Sequence, residues 1–235
     1  VAALERAGNE AGDRLAAVVI EPVVERLPSE AWIAAARALC DRRGAVLIFD
    51  EIKTGFRLAT GGYQQYANVA PDLATFGKAM ANGFPLSAVV GRSAVMEAAG
   101  RTWISSTLAS ETIGLAAAHA VLEWHERAEV AESLWSTGRE IRRAVEAAIA
   151  SSGVGGVAVD GIDPMWLLRF ADEARQQRFL ELALRRGVLF KRGAYNFAAI
   201  AHDEEAVAAI EHAASSAFVE LLEEEEDSAG GADAP

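Results

Sequence analysis

The rhythm of apolar and polar positions changes along this chain. Between about residues 15 and 92, short apolar runs at 15–20, 46–49, 73–76 and 87–90 alternate with polar stretches and with one helical pattern at 29–43. The runs at 46–49 and 73–76 are almost unbroken, as strands buried on both faces of a parallel sheet would be. Strands separated by helical stretches predict an α/β fold. Residues 111–150 carry an alanine-rich amphipathic pattern and are expected to be helical, the later part leaving the first domain. After the Gly- and Ser-rich segment 151–156, shorter strand patterns at 157–159, 165–170, 188–190 and 196–200 are interleaved with helices at 172–186 and 203–223. That arrangement predicts a small α+β domain. The expected division is a large domain over 1–125, a small domain over 126–222 and a tail over 223–235.

Composition narrows the function classes. The net charge of -12 argues against nucleic-acid binding. No apolar stretch is long enough to cross a membrane, and no basic segment followed by an apolar one resembles a secretory signal. A single cysteine, Cys40, excludes an internal disulfide framework, and the reading is of a cytoplasmic enzyme. The run Glu223-Glu224-Glu225-Glu226-Asp227, followed by Gly- and Ala-rich residues, is expected to be a disordered, solvated tail.

Candidate chemistry comes from two strand ends. Val46-Leu47-Ile48-Phe49 runs into Asp50, and Leu73-Ala74-Thr75-Phe76 runs through Gly77 into Lys78, one of only three lysines in the chain. Both groups emerge at the carboxyl edge of a parallel sheet, where open α/β sheets bind ligands. A buried, adjustable amine at that place can form a Schiff base, and a carboxylate opposite it can keep a pyridine nitrogen protonated. Together they point to pyridoxal 5'-phosphate.

The segment Asp50-Glu51-Ile52-Lys53-Thr54-Gly55-Phe56-Arg57, followed by Phe76-Gly77-Lys78-Ala79-Met80-Ala81-Asn82-Gly83-Phe84-Pro85, resembles the core of class III aminotransferases. The likeness is greatest to the glutamate-1-semialdehyde aminomutase branch, and it extends from about Leu15, through Glu21-Pro22-Val23, to the helix near residues 203–223. It implies part of the large domain of a fold-type I PLP-dependent transferase plus a small C-terminal domain. It further implies Lys78 as the Schiff-base lysine, Asp50 as partner of the ring nitrogen and Ile52 as the apolar side chain on one ring face. Thr107, with Ser106 as companion, would reach the phosphate in a neighbouring subunit's site, so that an oligomer completes it. The implied reaction moves an amino group between an amine or amino acid and a keto or aldehyde acceptor. A 2,1-aminomutase is the alternative within the same chemistry.

Other readings are weaker. Val46-Leu47-Ile48-Phe49-Asp50-Glu51 also looks like the acidic strand of an ATPase, but Asp72 and Ala79 stand where a phosphate loop needs Gly and Ser or Thr. Cys40 falls on the apolar stripe of the 29–43 helix, and the four histidines form no metal-ligand pattern. Lys53 and Lys191 are rival amines without a strand–glycine–lysine turn. Glu21 could face the site or pair with a cation. Arg57 and Arg192 are candidates for a substrate carboxylate, with structural ion pairs as the alternative. Members of the resembling family are longer, and the portion with no counterpart here would supply a phosphate-cupping loop, a ring-stacking aromatic and much of the sheet. The chain is therefore expected to be half of a split enzyme, or a fragment, completed by a chain carrying the N-terminal half or by its own oligomer. A catalytically silent structural subunit is the alternative from another class.

Overall fold

In the computed structural model, which describes residues 1–104, 107, 108 and 111–230, the alternating runs of the first half become one four-stranded sheet. The elements are α1 (Ala2–Ala11), β1 (Ala17–Ile20), α2 (Glu30–Arg43), β2 (Val46–Asp50), α3 (Tyr63–Tyr66), β3 (Leu73–Phe76), β4 (Ala88–Gly91), α4 (Ser93–Met96) and α5 (Thr112–Arg127). There follow α6 (Val130–Ser152), β5 (Val157–Ile162), β6 (Met165–Phe170), α7 (Glu173–Arg185), β7 (Asn196–Phe197) and α8 (Glu204–Gly230). They divide into two units, residues 1–132 and from Ser133 onward.

Local chemistry sets the helix ends in the first unit. The Ser29 side chain accepts from the Trp32 N–H and starts α2, while Gly44 ends it with a left-handed backbone, φ 62°. Beyond Gly44 the chain enters β2, which pairs in parallel with β1 and β3. β4 runs antiparallel to β3, because the connection 77–87 holds only a short 3-10 turn and cannot make a crossover. Leu47 and Phe49 of β2 and Ala74 and Phe76 of β3 are buried, whereas Val46, Ile48, Asp50, Leu73 and Thr75 are half-buried. Expected burial on both faces is thus replaced by alternation within this unit. Val19 of β1 and Val89 of β4 are exposed by 66% and 52%, leaving apolar surface at both edge strands.

Asp72, at the start of β3, ties the sheet to its surroundings. Its Oδ2 accepts from the Leu47 N–H at 2.8 Å and from Arg37 Nη1 at 2.9 Å, and its Oδ1 accepts from Arg92 Nη1 at 2.7 Å. Burial alone would raise this carboxyl, but Leu47, Arg92 and Arg37 outweigh it and hold it below its ordinary value. A depressed value means that the contribution is complete above the ordinary aspartate range and fades as acid protonates the group, from about pH 4 downward. Asp72→Ala is expected to cost about 3 kcal/mol, since it strips a buried N–H and two guanidiniums of one acceptor. Urea unfolding of both proteins at neutral pH and at about pH 3 checks this: the gap should narrow in acid.

The second unit is an antiparallel sheet in the order β5-β6-β7 with α6, α7 and α8. Phe179 of α7 stacks on Phe218 of α8 at 4.4 Å, in a core with Val145, Trp166 and Leu182. Gly138 lets α6 pass against the Asp163 carbonyl, where any Cβ would overlap it. Asp172 caps α7 by accepting from the Arg175 N–H at 2.8 Å.

Four expectations change. The 111–150 helix is broken where Ala128 takes an extended backbone, giving α5 and α6. The run 188–190 forms no strand; Phe190 is instead buried against Trp166 and Phe179. The run 196–200 keeps only the two residues of β7. Finally, of the tail expected over 223–235, the acidic run at 223–227 continues α8 as far as Gly230, and residues 231–235 lie outside the described residues. Its cause is an ion-pair ladder to the neighbouring helix: Arg175 with Glu225 at 2.6 Å, Arg178 with Glu224 at 2.5 Å, and Arg186 with Glu220.

Candidate active site

Asp50 is the last residue of β2 and lies in register with Thr75 of β3. One carboxylate oxygen, Oδ1, accepts from the Thr75 hydroxyl and from the Ile52 N–H, each at 3.1 Å. Among the described residues nothing donates to Oδ2, which leaves one oriented lone-pair acceptor at the carboxyl edge of the sheet. Thr75 was not foreseen as a site residue. The available signal was its place as the third residue of the strand beside Asp50, but the register that pairs them is not local information.

The neighbour, Glu51, does the opposite. It is fully buried, and its carboxylate accepts from the Tyr63 N–H at 2.9 Å, the Gln64 N–H at 2.8 Å and the Thr54 hydroxyl. Burial pushes this carboxyl above its ordinary value, against the pull of those three donors. Gly62, with φ 79°, lets the backbone approach the carboxylate so closely that a side chain would collide with it. Glu51 therefore staples the loop after β2, and Asp50 alone of the acidic pair faces outward.

At the end of β3, Phe76 is buried, Gly77 is extended and Lys78 adopts a left-handed backbone, φ 45°. That conformation is uncommon for a residue with a side chain. The Ala81 and Asn82 N–H groups donate to the Lys78 carbonyl, and Met80 and Ala81 are buried beneath the turn. Lys78 itself is exposed, which corrects the expectation of a buried amine: the turn sends its neighbours into the core and its own side chain outward. Among the described residues no side chain accepts from its amine. Ile52 is half-buried beside Gly77, within ordinary contact of where a Cβ would sit. Asp50, Ile52, Thr75 and Lys78 thus share one edge of the sheet.

Thr107 lies on an exposed turn. Ser106 lies outside the described residues. Thr107 is not the cap of α5, because Glu111 fills that place, its carboxylate accepting from the Ile113 and Gly114 N–H groups. Of the rival amines, Lys53 pairs with Glu21 at 2.5 Å, so Glu21 is engaged by a lysine. Lys191 lines a concavity of about 450 Å³ in the second unit, with Trp166, Phe190, Asn196 and His202, and no strand-end carboxylate accompanies it there. Arg192 bonds Gln177 at 3.2 Å and sits 3.7 Å from Glu173, a surface structural role. Burial lowers the Arg57 guanidinium to about 10. Among the described residues no three metal-ligating side chains converge, and no helix is long and apolar enough to cross a membrane.

Among the described residues, a carboxylate oxygen to which nothing donates, an exposed lysine from which no side chain accepts and an apolar side chain lie at this edge, and their chemistry fits pyridoxal 5'-phosphate. The fold agrees. The chain superposes with a TM-score of 0.88 and 26% identity on the FumI protein of Sphingopyxis sp. MTA144, solved in its PLP internal aldimine form, covering 94% of this chain and 55% of that one. It superposes with a TM-score of 0.82 and 23% identity on the ornithine aminotransferase from Toxoplasma gondii ME49, covering 95% and 55%. The architecture is therefore that of part of a fold-type I PLP-dependent enzyme. Residues 1–202 match the family described as Aminotransferase class-III, and the chain belongs to that family, whose members depend on pyridoxal 5'-phosphate. Among curated proteins it is 33% identical to a glutamate-1-semialdehyde 2,1-aminomutase of Polynucleobacter necessarius subsp. necessarius over 94% of this chain and 56% of that one. With the protein of the same name from Neisseria gonorrhoeae the identity is 36% over 88% and 53%. The chain thus spans about half the length of the curated relatives it matches.

Proposed function

We propose that this chain carries the lysine and the carboxylate of a PLP-dependent transaminase that moves an amino group between an amine or amino acid and a keto or aldehyde acceptor. The observation that carries the reading is Asp50 Oδ2, to which nothing donates among the described residues, at the end of β2 and on the same sheet edge as exposed Lys78 beyond the end of β3. When bound, pyridoxal 5'-phosphate supplies an electron-withdrawing ring that stabilises negative charge at the substrate carbon bearing the amine. Asp50 would accept a charge-assisted hydrogen bond from the protonated ring nitrogen and so keep that nitrogen protonated. Thr75 and the Ile52 N–H hold Asp50 by its other oxygen, so its orientation is set before anything binds. Ile52 would pack against the bound cofactor. Lys78 would hold it through its side-chain amine, and the same amine, when free, would carry a proton to and from the substrate carbon. Thr107, with Ser106, would donate to the phosphate of a neighbouring subunit's site.

The apolar surface at β1 and β4 supports covering of these edge strands by further polypeptide, either a chain carrying the N-terminal half or another copy of this one. A purified chain that stays monomeric, folded and cofactor-competent alone would contradict this. A second reading, a 2,1-aminomutase, is favoured by the name of the curated relatives at 33–36% identity. Product analysis separates the two, since a mutase returns an isomer of its substrate and needs no second amine. A structural subunit without catalysis predicts no cofactor-dependent colour at all.

A further inference from the structure

The left-handed backbone at Lys78 persists only if the residues flanking it are held. On one side Phe76 is buried, and on the other Met80 and Ala81 are, all in one cluster with Phe56, Ala74 and Ala118 of α5. Phe56 belongs to the loop that leaves Asp50. Its ring meets Phe76 edge-on at 5.9 Å, and Gly55 lies so close to the Phe76 ring that a side chain there would overlap it. Phe56 is itself left-handed, φ 60°, an unusual state for an aromatic residue. Two contacts secure it. Its N–H donates to the Thr60 carbonyl at 3.2 Å, and the rings of Phe56 and His125 on α5 meet in a T-shaped contact at 5.4 Å. The Thr60 hydroxyl and His125 Nδ1 share a hydrogen bond of 3.0 Å.

We propose that His125 is a positioning residue for Lys78: by bonding Thr60 and abutting Phe56 it locks the loop that leaves Asp50 against Phe76, and so holds the turn that presents the lysine. This rests on the reading of Lys78 as the cofactor's amine. Burial keeps the imidazole below its ordinary value, so at neutral pH it is an uncharged ring suited to an aromatic neighbour. The two strand ends that carry the reacting groups are thereby coupled through His125–Phe56–Phe76, independently of the Asp50–Thr75 hydrogen bond.

The test uses the full chain without cofactor, in Thr60→Val, His125→Phe and His125→Gln. Amide hydrogen exchange is followed at Ala81 and Asn82, which donate to the Lys78 carbonyl, and at Asp72, which donates to the Leu47 carbonyl and reports on the sheet. Thr60→Val and His125→Phe should each speed exchange at the turn by roughly tenfold, the worth of one lost hydrogen bond, and leave Asp72 unchanged. His125→Gln, which can still bond Thr60, should restore most of the protection. In the completed assembly, trapping of added pyridoxal 5'-phosphate on Lys78 by borohydride should slow in parallel. Unchanged exchange at the turn in the first two variants overturns the proposal, and so does equal acceleration at Asp72, which would make His125 ordinary core. Failure of the site reading looks different: the unaltered completed assembly would then place the trapped label on another lysine or on none.

Discussion

Lys78→Ala should abolish the visible absorption of lysine-bound cofactor and the borohydride-trapped adduct, and lower turnover by roughly 10⁴-fold, the loss expected for the group that moves the proton. The comparison belongs in the completed assembly, with Lys78→Arg beside it to keep the charge while removing the condensing amine. Because Lys78 is exposed and its side chain bonds no other among the described residues, neither change should disturb the fold. Lys78→Gly sharpens the point. Glycine adopts φ 45° without strain, so this variant should melt no lower than the unaltered chain, and higher by the equivalent of about 1 kcal/mol, while remaining inactive. A stabler but dead variant would mean that backbone strain is maintained for the lysine's sake. Retained colour in Lys78→Ala, with the label on Lys53 or Lys191, would move the amine elsewhere.

Asp50→Asn should reduce turnover by about 10²–10³-fold, as for loss of one oriented electrostatic partner, with little change in melting. The amide oxygen can still accept from Thr75 and Ile52, but an NH₂ group would replace the anionic oxygen that faces the ring nitrogen. Glu51→Ala supplies the contrast. It leaves the buried Tyr63 and Gln64 N–H groups without an acceptor and should cost about 2–4 kcal/mol of stability, measured by urea unfolding. The alternative outcome, in which Asp50→Asn unfolds the chain and Glu51→Ala merely slows it, would invert the assignment of the pair.

Those two adjacent acids show what a linear pattern can and cannot carry. An apolar run ending in a carboxylate was readable, and so were the helices at 29–43 and 172–186, because each depends on residues within a few positions. The division of labour between Asp50 and Glu51 was not, since it is decided by Thr75 and by the Tyr63–Gln64 amides, which reach them through the fold. The same holds for Lys78. Its place after a strand could be read, whereas its exposure depends on a turn whose neighbours, Phe76 and Met80, are anchored under α5. Short strand patterns fared worst: residues 188–190 have the composition of a strand, and Phe190 was drawn instead into the aromatic packing of Trp166 and Phe179. At the acidic end, charge density suggested solvation, and only the arginines of α7, some forty residues earlier, reveal that the carboxylates have partners.

The arginine ladder along α7 makes the last turns of α8 responsive to dissolved ions. Glu220, Glu224 and Glu225 are each part-exposed, so their attraction to Arg186, Arg178 and Arg175 is screened as the Debye length shrinks from about 10 Å at 0.1 M salt to about 3 Å at 1 M. Concentrated brine should therefore fray the helix from its carboxyl end and expose the run to proteases, while the Phe179–Phe218 stack beneath stays dry and intact.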